Sequence, residues 1–178
     1  MTPALINSIR LPGGEQFSEM YLLGTGQEAQ NYPFNIAMGQ NYSVDVGVGN
    51  HLGSSASYVL YLKFQNENDL LPNSTSMTPS PVSPLYEYRF SIPDGKNWEA
   101  PLTFSVSKGT ISNNQSVAET LMLNGFNFNV NKPAFWDSNS STFTYRIVCE
   151  LWLYNTTSNL DQFNYRFVEL NLNLTSTT

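Results

Sequence analysis

A single cysteine and a single histidine set the first limit on this 178-residue chain. One thiol cannot close an internal disulfide, and one imidazole beside it cannot assemble a Cys/His zinc site or supply the triads of nucleophilic catalysis. No metal, no other cofactor and no catalytic set are expected, and the chain is read as a non-enzyme. Charge is scarce too, at 12% of residues against about 25% in an ordinary domain. What charge there is sums to −6, which repels phosphate backbones and anionic lipid, so nucleic acid is not an expected partner. No apolar run approaches the roughly 18 residues of a membrane span. The start, MTPALINSIR, has no signal-peptide apolar core, and the chain as it stands is expected to be soluble. Sustained helical stripes are also missing, and only Ser112 to Thr120 offers a short helical turn.

Asn, Ser and Thr take the place of charge, at roughly 30% of the residues. The 13% of aromatic residues rules out a disordered reading of so polar a chain. Apolar and polar residues alternate with period two over most of the length. Tyr42, Val44, Val46 and Val48 form one such row, and Tyr58, Leu60, Leu62 and Phe64 a second. In the second, Val59 and Tyr61 on the opposite parity imply that both faces are partly covered. The run from Phe143 to Leu153 reads as a central strand. In the last run the apolar parity changes between Phe167 and Val168, as a β-bulge near Arg166 to Val168 would produce. Asn124-Gly125 suits a type I′ hairpin turn, and Ile92-Pro93-Asp94-Gly95-Lys96 reads as a hairpin joining the strands at Tyr86 and Trp98. The pattern predicts one all-β domain over residues 1–178, an immunoglobulin-like antiparallel β-sandwich of about nine strands with an ordered core at about 17–174. A long loop rich in Pro, Ser and Thr, residues 65–84, is inserted between two strands and is expected to be functional or mobile. Asn131 to Ser141 reads as a second irregular segment.

Few residues offer chemistry. His51 follows a strand in a small-residue turn and is expected to bond local backbone, with ligand contact as its functional alternative. Gly47, Gly49 and Gly53 lack the spacing of a phosphate-binding loop, and no helix follows them. The Asp137 to Ser141 stretch begins like a calcium loop but has Thr142 and Val148 where that motif needs Gly and Glu. Glu87 and Glu150 are strand carboxylates on polar parities, which a cleft would have to bring together for glycoside hydrolysis. Trp152 falls on the polar parity of its strand and Trp136 lies in the irregular segment. These two, unlike Trp98, are candidate ligand contacts on an exposed surface. Six Asn-x-Ser/Thr acceptors occur, against about four by chance in this composition. Asn73, Asn114, Asn139 and Asn155 fall in predicted loops or at strand ends, where a glycan fits, whereas Asn41 and Asn173 at strand edges are poorer positions. The final run, Asn164 to Thr178, has the character of an edge that would pair with a second copy.

Several blocks resemble a known family: Tyr21 to Gly24, Tyr32-Pro33 with Asn35 and Gly39, Val44 to His51, Tyr58 to Leu62, and Asn97 to Ser107. They are similar to the exterior domain of archaeal membrane proteins known as domain of unknown function sixteen-sixteen, and the likeness runs along most of the chain. The resemblance implies an extracytoplasmic module like the adhesion-type immunoglobulin domains, anchored in the membrane by helices that this chain does not include. It implies no catalytic residues, and it implies that the Asn50-His51 pair serves turn geometry, with Asn accepting a positive φ. On this basis the chain is expected to act at the cell surface through contacts with protein or glycan, with a carbohydrate-binding module built on exposed aromatics as the alternative.

Overall fold

The computed structural model describes residues 15–176, and these form ten strands with no helix among them. The MTPALINSIR start and the last two residues of the final run lie outside the described residues. In chain order the strands are β1 (Phe17–Leu23), β2 (Asn35–Ala37), β3 (Tyr42–His51), β4 (Ala56–Asn66), β5 (Tyr86–Ile92), β6 (Asn97–Ile111), β7 (Gln115–Leu123), β8 (Phe126–Asp137), β9 (Thr142–Asn155) and β10 (Leu160–Thr175). One layer runs β1-β3-β6-β7-β8 and the other β5-β4-β9-β10-β2, and the short β8–β9 pairing joins them. The immunoglobulin-like β-sandwich is therefore present, and the apolar parities meet between its layers. Val44, Val46 and Val48 of β3, Leu60, Leu62 and Phe64 of β4, Leu102 and Phe104 of β6, and Tyr145, Ile147 and Leu151 of β9 belong to one buried cluster. The glycines of β3 have a packing role. Tyr21 of β1 pairs with Gly47, and a Cβ there would lie 2.1 Å from the Tyr21 ring, so only glycine lets the ring lie across the strand.

Several expectations need correction. The turn at Pro93-Asp94-Gly95-Lys96 closes with a Lys96 N to Pro93 O bond, but it is not a hairpin. β5 pairs with β4 and β6 pairs with β3 and β7, so this turn carries the chain from one layer to the other. Phe90 and Trp98, on either side of it, stack across the core with ring centroids 3.7 Å apart. No helical turn forms at Ser112 to Thr120. Ser112 to Asn114 make a turn closed by Ser112 N donating to Gln115 O, and β7 follows. A register shift between Ala118 and Thr120 breaks the alternation there, which disguises the strand in the sequence. Asn131 to Asp137 is not irregular either: β8 continues to Asp137, with Asn131 at φ 44° inside it. Pro133 is tolerated because its own carbonyl accepts from Asn66 while no ladder partner beyond β7 needs its missing N–H. The strand count is ten because β2, only three residues long, pairs parallel to the end of β10.

Asn124 and Gly125 take φ values of 49° and 85°, the pair of positive angles that a type I′ turn requires. The register shift in β10 falls between Phe163 and Phe167, with Tyr165 at φ 58°. The bulge is thus within two residues of its expected position. It also turns Asn164 and Arg166 toward β1, where they donate to Ser18 Oγ and Ser18 O. With β2 on its far end, the outer edge of β10 is covered in two places.

Candidate functional site

The two faces of β4 divide the molecule's chemistry. Tyr58, Leu60, Leu62 and Phe64 point into the core, and Val59, Tyr61, Lys63 and Gln65 point outward. Register carries this outer face across three strands. Val59 lies between Arg89 of β5 and Trp152 of β9, and Tyr61 lies between Glu87 and Glu150. Trp152 and Tyr154 continue onto Phe163 and Asp161 of β10.

Half of this outer face is sealed. The Pro/Ser/Thr loop lies on it as a strap, and Lys63, Gln65, Val148 and Glu150 are buried although they face outward. Lys63 Nζ is 2.8 Å from Glu150 Oε2, with side-chain exposures of 5% and 0%. Charges taken so far from water need every remaining hydrogen-bonding position filled. Ser80 supplies most of these: its N–H donates to Glu150 Oε1 at 2.7 Å, its carbonyl accepts from Lys63 Nζ at 2.7 Å, and its hydroxyl accepts from Gln65 Nε2 at 2.7 Å. Trp152 Nε1 donates to Glu150 Oε2 at 3.2 Å, which sets the direction of the indole. Arg146 reaches the carbonyl of Asn66 at the start of the strap, and Lys132 pairs with Asp69 at 2.6 Å. The loop is therefore tied down along its length by side chains of the sheet.

The other half is open. Tyr61, Trp152, Asp161 and Pro79, Pro81 and Pro84 of the strap line a depression of about 530 Å³. A second, of about 320 Å³, adjoins it at Asp161 and is walled by Ser57, Val59, Arg89, Ser91 and Tyr154. Tyr61 meets Trp152 edge-on at 5.5 Å. Arg89 spans the face, with Nε donating to Glu87 at 2.9 Å and Nη1 to Asp161 Oδ2 at 3.2 Å. Glu87 and Glu150 thus flank Tyr61 in one row but share no cleft, since Glu150 is sealed beneath the strap.

The three expected contact residues do not converge. Trp152 lines the open depression, as its polar parity suggests. Trp136 is exposed and packs edge-on against Phe143 at 5.0 Å. Phe143 stands nine residues before Trp152 on β9, about 30 Å along the strand. His51 belongs to the opposite layer, where it stacks on Phe17 and lies 3.3 Å from Glu19 Oε1. It is the last residue of β3 and bonds a neighbouring strand's carboxylate, not local turn backbone. Asn50 does not take a positive φ. It is fully buried and works through its side chain, with Nδ2 donating to Ser54 O and Ile92 O and Oδ1 accepting from Leu52 N. Asn73, Asn114 and Asn139 are exposed in turns, as is Asn41 just before β3. Asn155 is half-buried and its amide bonds Thr157, Ser158 and Gln162. Asn173 is buried, bonded to Asn35 and to Phe143 N. The Asp137 carboxylate accepts from Ser140 Oγ and Asn139 N, bonds that hold its pKa below the usual range. Among the described residues no group of three or more His, Cys, Asp or Glu is placed to hold a metal ion. Burial pushes the Cys149 thiol up to about 12, which leaves it inert at neutral pH.

Sequence reading misses Arg89, Asp161, Lys63 and Ser80. The one signal pointing toward them is the apolar content on both parities of β4, which announces a cover without saying what the cover is.

The model of a family described as domain of unknown function (DUF1616) matches residues 11–125. That span holds all the blocks on which the resemblance rests, and β8, β9 and β10 lie beyond it. No curated protein matches the chain in sequence. Similar solved structures include the CARDB domain of a Pyrococcus furiosus protein, 9% identical over 89% of this chain and 90% of that one, with a TM-score of 0.41. A β-glucosidase from Listeria innocua is 10% identical over 93% of this chain and 17% of that one, with a TM-score of 0.44. The sporulation control protein Spo0M from Bacillus subtilis is 12% identical over 90% and 49%, with a TM-score of 0.41. None of the three informs on the activity of this chain.

Proposed function

We propose that this chain, which belongs to the DUF1616 family of domains of unknown function, is a non-enzymatic interaction module displayed outside the cytoplasm, and that it meets its partner through the open half of its outer face. The observation that carries this reading is the division of that face: one half is sealed by the strap, and the other leaves Trp152, Tyr154, Arg89 and Asp161 around a depression. Glu150, which faces Glu87 across Tyr61, is ion-paired and sealed, and Glu87 and Asp161 are both paired with Arg89, which supports a binding role over hydrolysis. An uncharged polar surface with exposed acceptors at Asn73, Asn114 and Asn139 supports display on the cell exterior; the context of an archaeal envelope protein anchored by other segments is what the family resemblance implies. Pairing of copies through β10 is the weaker mode of contact, because β1 and β2 already cover parts of that edge.

The exterior assignment is tested by glycan mapping on protein isolated from its native host. Occupied acceptors at Asn73, Asn114 or Asn139 are expected. Unmodified asparagines at all three would overturn the assignment. A partner is a protein or a glycan, and the placement of Trp152 favours the glycan.

A further inference from the structure

The open half of the outer face has the composition of a small-ligand site. Its two depressions meet at Asp161, and each falls within the volume range of small-molecule pockets, about 300–1,000 Å³. The walls alternate between flat apolar surface and hydrogen-bonding groups. Trp152, Tyr61 and Tyr154 supply the first, and the Ser57–Ser91 hydroxyl pair, 2.8 Å apart, and Asp161 supply the second.

The charges on this face are already matched. Arg89 is held between Glu87 and Asp161, and Lys63 is buried against Glu150, so an ionic ligand finds no opposite charge waiting. Within the depressions an extended peptide finds no strand edge, since β4 is flanked on both sides by β5 and β9 and the edge of this layer lies on the far side of β5. Neutral hydrogen-bonding groups remain open to a ligand: the Ser57–Ser91 hydroxyl pair, and Asp161, whose side chain is 19% exposed although its Oδ1 is shielded from solvent. A pyranose ring offers an apolar C–H face bounded by hydroxyls, which matches an aromatic wall beside serine hydroxyls and a partly exposed carboxylate. The indole is also pre-set, because Glu150 holds its N–H from below the strap.

We propose that the depression around Asp161 is a binding site for a neutral saccharide, with one ring against Trp152 and Tyr154 and ring hydroxyls bonding the exposed part of the Asp161 carboxylate and the Ser57–Ser91 pair. This rests on the reading of the outer face as the contact surface, and it names the ligand class that surface takes.

The test is a fluorescence and calorimetric titration of the full chain with soluble neutral oligosaccharides built on glucose, mannose, galactose and N-acetylglucosamine. Saturable binding of at least one of them is expected, with a change in Trp emission. Tyr154→Ala and Asp161→Asn should each weaken it about tenfold or more, with circular dichroism unchanged, whereas Trp136→Ala, at the far end of β9, should leave affinity as it is. Trp152→Phe adds a variant that keeps a ring against the sugar and should retain part of the affinity. Absence of saturable binding up to about 10 mM for every sugar would overturn the proposal. So would binding that Trp136→Ala abolishes while Tyr154→Ala and Asp161→Asn leave it intact, or a site that takes a proline-rich peptide and no saccharide. Occupied acceptor asparagines with no sugar binding would remove this site and leave the exterior assignment standing.

Discussion

Asn50 is buried among backbone groups of three segments, and its side chain stabilises two connections at once. One is the turn after β3, through Ser54 O and Leu52 N, and the other is the passage between layers, through Ile92 O. Its backbone adds bonds to Gly95 and Lys96 of the same passage. Asn50→Ala leaves the Ile92 carbonyl buried with this donor lost. With the two turn bonds lost as well, the cost is about 2–4 kcal/mol. A urea titration should show the midpoint falling with the slope unchanged; a midpoint at the wild-type value would mean that water replaces the amide at no cost. The identity of Asn50 is plain in the sequence, but its role is not. Its side chain bonds residues up to 42 positions away, and it does not adopt the turn geometry that the resemblance implies. Trp152 is the opposite case, because its outward direction follows from strand parity alone.

At the scale of elements, the strap and the strands beneath it act as one unit. The Lys63–Glu150 pair stabilises the fold only while both charges and the Ser80 bonds are in place, so removing one partner leaves an uncompensated buried charge. Lys63→Met and Glu150→Gln should each cost about 3–5 kcal/mol and open residues 67–84 to proteolysis. In the double variant the two costs should not add, leaving a coupling of about 1–3 kcal/mol in a double-mutant cycle. A coupling near zero would mean that the pair does not hold the strap. The strands themselves are legible wherever alternation is unbroken, as in β3, β4 and β9. They are obscured at the bulges, where Ala118 to Thr120 and Asn131 shift register and a strand resembles a turn or a loop. The pairing of strands is less legible still, because a Pro-Asp-Gly turn looks the same whether it closes a hairpin or crosses between layers.

Across the whole molecule, tyrosines in both layers couple stability to alkali. Tyr88 is pushed up to about 12 by burial, and Tyr21 to about 12 by burial together with its bond to, and the charge of, Glu99. Burial raises Tyr58 and Tyr145 as well. In the unfolded chain a tyrosine loses its proton near pH 10. Between about 10 and 12 the unfolded state therefore binds fewer protons, and unfolding becomes easier as pH rises. The contribution of these phenols is complete below pH 10 and disappears as pH passes 12. Urea midpoints measured from pH 8 to 12, beside a spectrophotometric tyrosine titration, should fall in that window, and a flat profile through pH 12 would contradict the burial of these rings. Composition and two-residue periodicity by themselves determined an all-β sandwich, because side-chain direction along a strand is a local property. Which turns cross between layers, which outward residues the strap seals, and where Arg89, Asp161 and Trp152 meet were decided only by tertiary structure. Those outcomes depend on pairing between strands far apart in the chain, which no local pattern encodes.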